Sequence, residues 1–107
     1  MVEIKQILNE EERRLIDGII VYIYLKGFQF YGIDKKIFND NVKNRIINGY
    51  YRYFYRLGKD GEMMIEYVLD LNNKLKGIIV QYYMGVDYGI KIFGNLEELR
   101  GFLVKLI

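Results

Sequence analysis

The sequence predicts an α+β fold. It consists of a four-stranded antiparallel β-meander over about 50–93, packed with amino-terminal helices and closed by a carboxy-terminal helix over 95–106. Three observations carry this expectation. Side chains alternate with period two along 50–57 and 62–71. Asn- and Gly-rich turns separate the alternating runs, and helical spacing takes over again after Asn95. The 107 residues, 51% hydrophobic and 28% charged, suit one domain with a single core, mainly helical over 1–48.

In chain order, Asn9 followed by Glu10, Glu11 and Glu12 is a helix start, with acids at the positive end of the dipole. Leu15, Ile16, Ile19, Ile20 and Ile23 keep helical spacing, and Gly27 closes the helix. The stretch 19–25 is also apolar and rich in β-branched residues. It therefore also fits a strand turning at Lys26-Gly27 into a second strand over 28–31; the helix is the preferred reading. Residues 34–47 read as a second helix, carrying Ile33, Ile37, Phe38, Val42 and Ile46 inward and ending near Gly49.

The meander follows. Tyr51, Tyr53, Tyr55 and Leu57 share one face of the first strand, and Met63, Ile65, Tyr67, Leu69 and Leu71 share one face of the second. Placing Gly61 at the left-handed position of a three-residue loop pairs Leu57 with Met63, Tyr55 with Ile65 and Tyr53 with Tyr67. A two-residue turn at Asn72-Asn73 pairs Tyr67 with Ile78, Ile65 with Val80 and Met63 with Tyr82. Both turns select the same apolar face as the alternation. A fourth strand is expected over 88–93 after a turn at 85–87. Asn95 with Glu98 is a capping box for the last helix, whose stripe is Leu96, Leu99, Phe102, Leu103 and Leu106.

Thirteen residue types make the whole chain: Ala, Cys, His, Pro, Ser, Thr and Trp are absent. Without Ser, Thr or Cys the common nucleophiles are missing, and without His or Cys so are the commonest transition-metal ligands. No enzyme activity, cofactor or metal is expected. Glu62 and Glu66 share a strand face but lie about 13 Å apart at strand rise, too far for a carboxylate pair. A tyrosine nucleophile beside Arg52 and Arg56 lacks an evident base. The Gly residues form no phosphate loop.

The net charge of +2 specifies no partner. No apolar run reaches about 18 residues and residues 1–6 show no signal-peptide pattern, so an intracellular, cytoplasmic location without membrane contact is expected. Ile, Lys, Asn, Tyr and Phe dominate, as AT-rich coding DNA favours. That fits a small accessory or inhibitor protein of a virus or mobile element, acting in the host cytoplasm. Eight Asn argue against a hyperthermophile.

Two binding surfaces emerge. Residues 26–61 carry +5 and the remainder −3. Within this segment Tyr50, Arg52, Phe54 and Arg56 project from one strand face, with Lys43, Arg45 and Lys59 as phosphate contacts. Stacking aromatics beside cations is what single-strand nucleic-acid binders use. The competing reading pairs Arg52 and Arg56 with Glu62 and Glu66 across the sheet. The outer face also carries Met64, Val68, Ile79, Tyr83 and Phe93, too apolar for a solvated surface. Its cover is expected to be the amino-terminal helix, a second copy or another protein. A protein partner or homo-oligomer, engaged through the outer sheet face or its edges, leads; nucleic acid is the alternative.

Overall fold

Five antiparallel strands lie in the order β1-β2-β3-β4-β5, with two α-helices on one side, in a computed structural model that describes residues 3–38 and 46–107. A 3₁₀ turn over Glu3–Gln6 leads into α1 (Glu10–Leu25). Then come β1 (Gln29–Ile37), β2 (Gly49–Leu57), β3 (Gly61–Leu69), β4 (Leu75–Met84), β5 (Asp87–Phe93) and α2 (Leu96–Leu106). The architecture is an α+β antiparallel meander of five strands rather than four.

The helices start where their caps dictate. The Asn9 side chain accepts from the Glu12 N–H while the Glu12 carboxylate accepts from the Asn9 N–H, a reciprocal box that satisfies two otherwise orphaned donors. At α2 only half of the expected box forms. Asn95 accepts from Glu98 N–H, but the Glu98 carboxylate accepts from the Gly94 N–H instead. Ile16, Ile19 and Ile23 of α1 and Leu96, Leu99 and Leu103 of α2 are buried against the inner sheet face. That face supplies Tyr51, Tyr53 and Tyr55, then Met63, Ile65, Tyr67 and Leu69, then Ile78, Val80 and Tyr82. Each fully buried aliphatic side chain contributes about 1.5–3 kcal/mol of transfer free energy.

The expected helix over 34–47 is overturned at both of its described ends. Residues 34–37 belong to β1, and 46–48 are neither helix nor strand; 39–45 lie outside the described residues. Among the described residues, the first 48 therefore hold one α-helix and one strand. β1 is an edge strand, so little of it needs to be apolar. Ile33, Lys35 and Ile37 face inward with a lysine in the middle, and a bulge at Tyr31 breaks the alternation. The helical spacing of Ile33 and Ile37 competed with a period-two pattern that burial did not enforce.

Two turns differ in detail. β2 and β3 pair Tyr55 with Met63, Tyr53 with Ile65 and Tyr51 with Tyr67, two residues from the expected register. A two-residue slip leaves every side chain on its face, so alternation could not distinguish the registers. The loop occupies 58–60, and Gly58 (φ +53°), not Gly61, takes the left-handed conformation. Between β3 and β4 the expected pairs all occur: Met63 with Tyr82, Ile65 with Val80, Tyr67 with Ile78. The turn is nevertheless three residues, 71–73, with only Asn73 left-handed (φ +60°). The Asp70 carboxylate accepts from the Asn72 and Lys74 N–H groups and holds it. A bulge at Lys76 then restores the register.

Candidate interaction surface

Both helices pack on the inner face, so α1 does not cover the outer one as was one expectation. The buried cluster contains inner-facing strand residues and both helix stripes, and among the described residues no helix lies on the opposite side. The outer face presents Tyr31, Asp34 and Lys36 from β1, Tyr50, Arg52, Phe54 and Arg56 from β2, and Glu62, Met64, Glu66 and Val68 from β3. β4 adds Ile79, Gln81 and Tyr83, and β5 adds Tyr88, Ile90 and Ile92. Phe93 belongs to the other side: it packs against Phe102 of α2 with the rings tilted by 40° and their centroids 5.2 Å apart. Sequence reading misplaced it because the β4–β5 turn was unassigned. The two-residue loop Gly85 and Val86, with Gly85 at φ +66°, pairs Met84 with Asp87 and fixes the parity of β5.

The half of this face nearer β1 is a charge ladder. Arg52 Nε donates to Glu66 and its Nη1 to Asp34, 3.3 Å away, so one guanidinium bridges three strands. Its plane lies over the Tyr50 ring, 4.0 Å from the centroid. The hydrogen bond to Glu66 holds the Arg52 pKa above its ordinary value, against the opposing effect of burial. Arg56 pairs more loosely with Glu62 (3.5 Å) and lies 4.6 Å from the Tyr31 centroid. Tyr31 in turn approaches Phe54, centroids 6.1 Å apart. The expected cross-strand pairing is thus what the arginines do. Their charges meet carboxylates and their planar faces meet tyrosines of the same chain. Lys59 sits exposed in the β2–β3 turn, whereas Lys43 and Arg45 lie outside the described residues.

The half nearer β5 is apolar. Met64, Val68 and Ile79 are half-buried, and Tyr83, Tyr88, Ile90 and Ile92 are 56%, 73%, 62% and 76% exposed. Four large side chains this open on adjacent strands form a patch, not scattered surface residues. Between the two halves lies a shallow depression of about 600 Å³, lined by Phe54, Met64, Glu66, Ile79, Gln81 and Tyr83. A smaller one of about 330 Å³ lies against Val68, Gly77, Ile79 and Ile92. Of the candidate residues, Tyr50, Arg52, Phe54, Arg56, Met64, Ile79 and Tyr83 therefore share one face. Sequence reasoning missed Tyr88, Ile90 and Ile92, whose period-two spacing was visible but whose face depended on the unassigned turn.

Glu62 and Glu66 are each engaged by an arginine. The tyrosines with perturbed acidity, Tyr55 and Tyr67, are held above the usual phenol range by burial, the opposite of nucleophile activation. Among the described residues no three or more Asp and Glu gather as a metal site, and no helix is long and apolar enough to cross a membrane. No protein-family model, no curated protein and no solved structure matches the chain.

Proposed function

We propose that this is a non-catalytic interaction protein that engages a protein partner through the outer face of its sheet. The observation that supports this reading most is the apolar patch of β4 and β5, where Tyr83, Tyr88, Ile90 and Ile92 stand exposed beside half-buried Ile79. Desolvating such a patch contributes about 25 cal/mol per Å² of apolar surface. Aromatic side chains at its centre are the usual energetic anchors of an interface. A small accessory or inhibitor protein of a virus or mobile element would use a surface of this kind, and the AT-rich residue bias favours that setting.

Nucleic-acid binding through Tyr50, Arg52, Phe54 and Arg56 remains the second reading, favoured by the +5 charge of 26–61. The internal ion pairs and the stacking of both guanidiniums on tyrosines weigh against it. Capture on tagged protein from the source cell, with and without nuclease, separates the two. The protein-partner reading expects a captured protein that survives nuclease and is lost with Tyr83→Lys. Capture abolished by nuclease, by about 0.2 M salt or by Arg52→Glu with Arg56→Glu overturns it in favour of nucleic acid.

A further inference from the structure

The two edges of the sheet are built differently. β1 is blunted: a bulge at Tyr31 interrupts it, and consecutive exposed residues Asp34, Lys35 and Lys36 charge both of its faces. Such devices discourage pairing with another strand. β5 has no bulge over its seven residues, and its register with β4 is continuous from Asp87 to Phe93. Met84 and Asp87 close a two-residue loop, so Asp87, Gly89, Lys91 and Phe93 turn their N–H and C=O groups toward β4. Tyr88, Ile90 and Ile92 turn theirs to the free edge.

We propose that β5 is a homodimerisation edge, pairing antiparallel with β5 of a second copy about a two-fold axis at Ile90. This rests on the reading of the molecule as an interaction protein and assigns its partner as itself. In this register Ile90 faces Ile90 of the second copy, and Tyr88 faces Ile92, so every cross-pair on the outer side is apolar. The free backbone groups of Tyr88, Ile90 and Ile92 then meet the same three residues in the other chain, the sheet becomes continuous across ten strands, and the two apolar patches join at its centre. On the inner side Lys91 faces Gly89, over which the Tyr82 ring of its own chain lies; a Cβ at Gly89 would come within 2.9 Å of the Tyr82 hydroxyl. Asp87 and Lys91 fall on diagonal positions across the junction, within reach of a long side chain. The two-fold gives two such attractive diagonals against one between the lysines. Asp87 and Lys91 are both exposed, so α2, which packs against Phe93, leaves these two positions uncovered. Because β1 is blunted, the pairing closes as a dimer and does not propagate into a fibre.

Sedimentation velocity on the full chain from about 1 to 300 µM, the range a modest strand-edge interface occupies, tests this. The wild type is expected to shift from monomer to dimer with concentration. Ile90→Lys sets like charges directly opposite each other and should weaken association about tenfold or more while far-UV circular dichroism is unchanged. Lys91→Asp, which leaves acids facing across each diagonal, should weaken it, and adding Asp87→Lys should restore it. This charge reversal keeps the test open should Ile90→Lys fail to fold. A wild type that stays monomeric throughout overturns the dimer but not the outer-face reading, which the nuclease-resistant capture tests separately. A dimer indifferent to the 87/91 reversal and to Ile90→Lys, yet lost with Phe54→Lys, overturns the β5 edge and leaves the outer face as the contact. Open-ended polymers overturn the two-fold.

Discussion

Replacing Tyr53 with Phe deletes one oxygen and leaves a complete aromatic ring, so it tests what the hydroxyl contributes. The Tyr53 hydroxyl accepts from the Ile4 N–H at 3.0 Å, and Ile4 is fully buried. Ile4 lies in the first turn of the 3₁₀ segment, where backbone donors have no partner within the helix, so Tyr53 caps that turn from the middle of the sheet. The ring contacts to Tyr67 at 5.6 Å and Phe30 at 6.0 Å survive the substitution. What is lost is satisfaction of a buried donor, worth about 1–3 kcal/mol. A 107-residue chain unfolds with an entropy of roughly 0.2 kcal/mol per kelvin. Tyr53→Phe should therefore lower Tm by about 4–13 °C and lower the urea midpoint with an unchanged m-value. Tyr67→Phe is the reference: it removes a hydroxyl from the same buried cluster while the Ile4 donor keeps its acceptor, and it should cost less. Calorimetric melts of the three proteins at neutral pH measure the difference. If Tyr53→Phe melts within about 1 °C of the wild type, or Tyr67→Phe costs more, the bond to Ile4 does not contribute as argued.

Other expectations follow from the same structure. Burial raises the Tyr55 and Tyr67 pKa values in the folded state, so the folded protein resists their ionisation. The contribution of these two tyrosines should be flat below about pH 10, then fall as pH rises further and the unfolded chain ionises, by up to about 1.4 kcal/mol per pH unit for each tyrosine. Urea titrations from pH 8 upward should show this fall, reduced in Tyr55→Phe with Tyr67→Phe. Arg52→Met should cost more than Arg56→Met, because it strands the Glu66 side chain, 12% exposed, whereas Glu62 is 59% exposed and solvates readily. Equal midpoints for the two variants would contradict that ranking. Asn9→Ala removes the α1 cap and should cost about 1 kcal/mol in chemical denaturation. A neutral result there would mean that tertiary packing alone sets the helix start.

What could be read from the sequence was whatever burial enforces twice. The strands β2, β3 and β4 and the helix α2 were legible because each inner face is apolar and lies between neighbours. α1 was legible because the acids after Asn9 and the spacing of Ile16, Ile19 and Ile23 agree. β1 was not, since an edge strand with Lys35 on its inner side is under no such pressure. The register of β2 on β3 escaped for another reason: pairing Tyr53 with Tyr67 or with Ile65 satisfies the same face. For the surface, strand alternation alone placed Arg52 and Arg56 on one face with Glu62 and Glu66, while the register decided which arginine meets which acid. The role of Tyr88, Ile90 and Ile92 required the length of one turn, which Gly85 permits but does not dictate.

The bulge at Lys76 also bears on how this chain can change in length. Ten residues separate Tyr67 from Ile78, and the pairing of those two depends on that number and on how the segment spends it. A single deletion within 71–76 can be absorbed by erasing the bulge or by tightening the loop to two residues, and Tyr67 stays opposite Ile78. An insertion finds no equivalent slack and must widen the loop beyond the reach of the Asp70 carboxylate. Losses of one residue at this hairpin should therefore be better tolerated than gains.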